Sequence, residues 1–257
     1  METGAVDHAE EAALARLIQD ASAVLGRVES YGPHPDQVIE WFDPLGSRRA
    51  PVVLVHGGYF RPQIDRTHAK VTAAALSAAL DAPVVLPEYR REPGAPDLAV
   101  ADLAAVSDLL EGLDEVPPAW VGHSAGGTLA LIRALDQVRT RTQVIALAPI
   151  VDLRRGLASG LGDGAIKDWL GERTARKRSR YAHLDPAVLL ADLPERSDSI
   201  VCVHGDLDAT VPLAQPRESG LRMIVLDGAH HIDLIDPGST YWPAVVQVVA
   251  DRIDAPD

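Results

Sequence analysis

Residues 119–132 read AWVGHSAGGTLALI, and the change of character within this stretch decides the fold. The first part, Ala119 to His123, is a short apolar run suited to a buried strand. The second part is led by Gly126 and Gly127 and continues as a helical run, with one sharp turn between the two. A strand that passes directly into a helix is the building block of a parallel sheet, because parallel neighbours need a crossover to join them.

The same unit recurs in both directions. Short runs rich in Val, Ile and Leu occupy 37–42, 51–57, 83–89, 119–124, 143–149, 200–206 and 222–228. Helical patterns fill 66–80, 97–113, 125–138, 211–219 and 239–253. Runs that are apolar on both faces and separated by helices predict an α/β fold: a mostly parallel central sheet with helices on both faces. The first run, QVIEWF, alternates polar with apolar residues and reads as an edge strand with one face in water. Residues 7–28 read as an amphipathic N-terminal helix packed on a single domain spanning 1–257. Residues 151–184 contain no strand and exceed what a crossover needs. They read as a short insertion, or lid, with one or two short helices around 163–181. The basic cluster from Arg173 to Arg180 reads as a solvated helix face.

Composition narrows the partners. A net charge of −13 over 257 residues argues against nucleic acid, which is held by clustered Lys and Arg. No apolar run approaches the ~20 residues a membrane helix needs, and the acidic N-terminus lacks a signal-peptide pattern, so a cytoplasmic location is expected. Cys202 is the single cysteine; it allows no internal disulfide and sits in an apolar strand as a small hydrophobe. His8, His34, His56 and His68 are scattered without ligand spacing. No metal and no cofactor are expected. The expected partner is a small molecule, and a homodimer is compatible with the sequence.

Gly122-His123-Ser124-Ala125-Gly126 fits G-x-S-x-G in the strand–turn–helix setting that gives this motif its meaning. The turn projects Ser124 at the C-terminal edge of the sheet, and the helix N-terminus offers free N–H groups to developing negative charge. A nucleophilic serine needs backbone donors for its oxyanion. One is expected from Ala125, directly after Ser124. The others are expected from Gly58 and Tyr59, where HGGYF (56–60) follows a strand end. His56 is expected to brace that loop. An acid and a histidine should then follow at later strand ends. In HGDLDATVP (204–212), Asp208 stands four residues before Pro212 and is the expected acid, with Asp206 shaping the turn. The histidine falls in LDGAHHIDLIDP (226–237), where spacing alone leaves His230 and His231 both open.

The motifs HGGYF, GHSAGG, HGDLDATVP and HHIDLID, in this order, resemble the α/β-hydrolase superfamily over about residues 31–253. Within it the chain resembles the arylformamidase (kynurenine formamidase) and small carboxylesterase group, with YGPHPDQVIEW (31–41) similar to that group's entry segment. The resemblance implies Ser124, Asp208 and His231 as the catalytic residues, since the histidine directly before the apolar–Asp pair is the base. It implies a cofactor-independent serine hydrolase that cleaves a small carboxylic ester or aryl formamide through an acyl-enzyme. Phe60 stands where the group has tryptophan. Tyr59, Phe60 and Trp169 of the insertion are the expected pocket walls. The competing expectation is a non-hydrolytic, ligand-binding member of the same fold.

Overall fold

A computed structural model describes residues 3–44, 47, 49–111, 117–136 and 141–253, with the side chains of 3–9 left aside. The ends of two expected helices, 112–113 and 137–138, and the side chain of His8 lie outside the described residues.

Eight strands form one sheet in the order β1-β2-β4-β3-β5-β6-β7-β8. They are β1 (Arg27–Ser30), β2 (Val38–Phe42), β3 (Val52–Val55), β4 (Val84–Pro87), β5 (Ala119–His123), β6 (Val144–Leu147), β7 (Ile200–Gly205) and β8 (Arg222–Leu226). β1 and β2 run antiparallel to their neighbours, and the pairs from β4 to β8 are parallel. The helices between them include α1 (Thr3–Asp20), α2 (Lys70–Leu80), α3 (Asp97–Glu111) and α4 (Ala125–Ala134). The region after β6 carries α5 (Leu153–Ser159), α6 (Ala165–Leu170), α7 (Glu172–Ala175) and α8 (Pro186–Asp192), and the chain continues with α9 (Ala214–Arg217) and α10 (Trp242–Ile253).

The period of two along each strand splits the core into two layers. Val53, Val55 and Val85 point to one side, where α3 and α4 supply Leu103, Val106, Leu129 and Leu131. Val52, Leu54 and Val84 point to the other, where Leu17 of α1, Leu76 of α2 and Val245 of α10 cover them. Helix α4 is buried along its whole length, Arg133 included, so this helix is held by the sheet rather than by an amphipathic surface. Among the described residues no helix is long and apolar enough to cross a membrane.

The expected edge strand at 37–42 is an interior strand. β1 pairs outside it, from Arg27 opposite Trp41 to Ser30 opposite Val38. All four β1 residues are exposed and Val28 is the lone apolar one, so no hydrophobic period announces this strand. The helix expected over 7–28 accordingly stops at Asp20, followed by a 3-10 turn and then β1. Glu40, expected to face water, is buried instead and pairs with Lys70 Nζ at 2.9 Å and Arg66 Nε at 3.2 Å. Around 163–181 the insertion holds two short α-helices, α6 and α7, and α5 precedes them.

Because Glu40 neutralises two cations at the base of α2, removing it leaves them facing a buried surface. Glu40→Ala is expected to lower unfolding stability by about 2 kcal/mol, read from the urea midpoint. Glu40→Gln should lose less, because the amide still accepts a hydrogen bond.

Candidate active site

β5 hands the chain to α4 through Ser124, whose backbone angles are φ 56° and ψ −121°. A non-glycine residue is strained there and stays only because its surroundings over-determine it. Two glycines make the turn possible. A Cβ on Gly122 would stand 2.4 Å from the carbonyl oxygen of Gly126, and one on Gly126 would stand 2.2 Å from that of Val55. Ser124 N–H donates to the carbonyl of Leu147 at 2.8 Å, fixing the turn to β6.

The loop after β3 passes directly beside this serine. A Cβ on Gly57 would meet Ser124 Cβ at 3.1 Å. Gly58, Tyr59 and Phe60 follow with φ of 118°, 55° and 56°, and Gly58 and Tyr59 line the cavity that holds Ser124. Among the described residues, the N–H groups of Gly58, Tyr59 and Ala125 donate to no protein acceptor. His56 braces the loop as expected of it: Nδ1 donates to the Gly57 carbonyl at 2.7 Å and Nε2 faces Glu88 Oε1 at 3.1 Å. Burial works to raise the Glu88 carboxyl, but His56, Arg91 and the N–H of Arg66 hold it well below the usual carboxylate range.

Asp208 lies in the loop after β7. Its Oδ1 accepts from the N–H groups of Thr210 at 2.9 Å and Val211 at 2.7 Å. Its Oδ2 faces His231 Nδ1 at 2.7 Å and His204 Nε2 at 3.4 Å. Since Nδ1 must donate to a carboxylate, the Nε2 of a neutral His231 carries the free lone pair. His230, its neighbour, turns away: its N–H and Nδ1 face Asp233 at 2.8 and 3.4 Å. Asp206 shapes the turn by accepting from Gly228 N–H at 2.7 Å.

Ser124 and His231 line one cavity of about 290 Å³. Gly58 and Tyr59 also line it, with Leu14, Ile64, Ile232 and Ile235 as apolar wall. Phe60 and Trp169, expected as pocket walls, do not line this cavity. Their rings stack at 4.0 Å and 10° and border a neighbouring cavity of about 580 Å³. Their mutual burial, with Trp169 at 1% exposure, takes both rings into the core under the insertion.

Sequence reasoning missed three side chains. Glu10 of α1 lines the cavity and accepts from the His231 N–H at 2.5 Å. His123, inside the motif, donates from Nε2 to the His231 carbonyl at 3.1 Å, and the two rings lie 4.4 Å apart. His68 also lines the cavity, its Nδ1 donating to the Asp65 carbonyl at 3.0 Å. The motif could have flagged His123; nothing local flags Glu10 or His68. Among the described residues no group of three or more His, Cys, Asp or Glu side chains is arranged to hold a metal ion.

The sequence pattern of the Alpha/beta hydrolase family matches residues 52–244. The chain belongs to this family. Solved structures share the fold at low identity. A hyperthermophilic esterase from the archaeon Pyrobaculum calidifontis is 19% identical at a TM-score of 0.68, covering 98% of this chain and 93% of its own. A putative thioesterase from Silicibacter sp. TM1040 is 21% identical at 0.69, covering 96% and 95%. Esterase B from Lactobacillus rhamnosis is 16% identical at 0.68, covering 99% and 96%. No curated protein sequence matches the chain.

Burial lowers three imidazoles at and beside this cavity. Burial and the neighbouring His56 push His68 from 6.5 down to about 4. Burial, with His231 and His68 beside it, pushes His123 well down, and burial lowers His204 despite Asp208. Between pH 6.5 and 4 the unfolded chain therefore takes up protons that the folded chain refuses, so stability falls as pH falls through that window. His68→Asn should flatten the loss between pH 7 and pH 4 by up to about 3 kcal/mol, measured as urea midpoints across pH.

Proposed function

We propose that the protein is a cofactor-independent serine hydrolase that cleaves a small carboxylic ester or aryl formamide through an acyl-enzyme at Ser124. One observation carries the reading: the 2.7 Å Asp208–His231 pair opens onto the same cavity as a serine held at φ 56°, beside peptide N–H groups with no protein acceptor. A serine on ordinary turn backbone would have no reason to bear that strain.

In this mechanism Ser124 Oγ attacks the carbonyl carbon while its proton passes to His231 Nε2. Asp208 keeps the imidazole in the required tautomer and stabilises the imidazolium. The carbonyl oxygen becomes an oxyanion that accepts from the N–H groups of Gly58, Tyr59 and Ala125. The C–O or C–N bond then breaks, and His231 returns the proton to the leaving alcohol or amine. Water adds to the acyl-Ser124 ester by the same route, His231 taking its proton and giving it back to Ser124 Oγ as the acid departs. The cavity's volume of about 290 Å³ and its Leu14, Ile64, Ile232 and Ile235 walls suit a short apolar acyl or aryl group. Solved structures of the same fold are described as esterases, which favours the ester of the two bonds.

Labelling by a fluorophosphonate and turnover of 4-nitrophenyl acetate beside N-formylkynurenine test the reading. Ser124→Ala should abolish both labelling and turnover. Asp208→Asn should lower kcat by about 10³–10⁴ with the fold intact. A folded wild-type protein that takes no label would be a binding protein and not a hydrolase. His231→Ala should be nearly inactive and His230→Ala substantially active; the opposite pattern would reassign the base.

A further inference from the structure

We propose that Glu10 of α1 is a positioning residue for His231, holding the base by its peptide group while Asp208 holds its ring. This rests on the reading of His231 as the base. Glu10 Oε1 accepts from the N–H of His231 at 2.5 Å and, more weakly, from that of Ile232 at 3.4 Å. His231 precedes a 3-10 turn at Ile232–Leu234, so its N–H has no acceptor within that turn. The carboxylate that satisfies it comes from 221 residues earlier in the chain.

The hold is one of three on a single residue. Asp208 Oδ2 takes Nδ1–H, His123 Nε2–H takes the carbonyl, and Glu10 takes the peptide N–H. Together they fix both the ring's rotation and the placement of the backbone that carries it. Among the described residues His230 has none of these partners and bonds within its own loop, to Asp233.

Helix α1 is fastened to that same loop a second and third time. Arg16 donates to Asp236 Oδ2 at 2.5 Å, and Leu17 belongs to the same buried cluster as Ile232, Leu234 and Ile235. Glu10 and Leu14 also line the cavity that holds Ser124. One helix thus forms a wall of the cavity and supports the base. Proton transfer demands heavy-atom separations of about 2.6–3.2 Å, and a displacement of about 1 Å can cost about a hundredfold in rate. A loop released from α1 keeps its Asp208 bond but lets the imidazole drift relative to Ser124.

The test compares full-length wild type with Glu10→Ala, Glu10→Gln and Glu10→Asp, each checked for folding by its melting transition. Two readouts are taken: steady-state turnover of 4-nitrophenyl acetate, and amide hydrogen exchange of the peptide covering 226–236. Glu10→Ala should lower kcat at least about tenfold with KM changed less than about twofold. Its 226–236 amides should exchange faster. Glu10→Gln keeps an oxygen acceptor of the same reach and should recover most of kcat and of the protection. Glu10→Asp keeps the charge but falls short of the N–H, and should behave like the alanine variant. The proposal is overturned if Glu10→Ala and Glu10→Asp keep kcat within about twofold of wild type, if exchange at 226–236 is unchanged, or if Glu10→Gln falls as far as alanine. Folded wild type that takes no fluorophosphonate label and turns over neither 4-nitrophenyl acetate nor N-formylkynurenine would overturn the proposed function, while the exchange arm would still decide whether Glu10 holds this loop.

Discussion

The first turn of α4 lies against the carbonyl groups that end β3: a Cβ at Gly126 would be 2.2 Å from the Val55 oxygen and 2.4 Å from the His56 oxygen. That contact leaves room for backbone only, and much of the molecule follows from it. It draws α4 under the sheet edge so closely that the helix is buried throughout. The turn beside it puts Ser124 at positive φ, where the residue lines the cavity. The contact also sets the loop leaving β3 beside the serine, since a Cβ on Gly57 would stand 3.1 Å from Ser124 Cβ. The proposed nucleophile and the peptide groups proposed to receive its oxyanion are thus brought together by one packing constraint.

The proposed base reaches the same place by a different route. β7 and β8 end side by side, and Gly205 lets the returning chain approach, because a Cβ there would stand 2.1 Å from the Ala229 oxygen. His231 is then secured by side chains from three separated parts of the chain: Glu10, His123 and Asp208. Around it lie imidazoles that burial keeps uncharged, His68, His123 and His204. They contribute hydrogen-bonding atoms without adding positive charge that would oppose the formation of an imidazolium on His231.

Much of this was legible in the sequence. All seven apolar runs contain strands, and β3 to β7 are buried at every residue, which keeps a strand predominantly apolar on both faces. The G-x-S-x-G turn was legible because its requirements are local: a strand, glycines and a helix start within a few residues. Where legibility failed, the cause was the absence of a local requirement. β1 is solvated on every residue and so carries no apolar period. Glu40 reads as a surface carboxylate until Lys70 and Arg66 are seen against it. Phe60 and Trp169 are both plausible cavity walls by type, and only their stacking on each other removes them from the wall.

The histidine pair marks the boundary between the two kinds of information. The sequence by itself determined the parallel sheet, the serine turn and the presence of a histidine after β8, since each is imposed by periodicity or by chemistry between consecutive segments. The geometry that separates His231 from His230, and the service of Glu10 to one of them, were decided by the tertiary structure alone. Adjacent residues in one loop have nearly the same sequence context. They differ in which side of the loop meets Asp208 and which meets Asp233, and that is fixed only when β7, α4 and α1 dock around it.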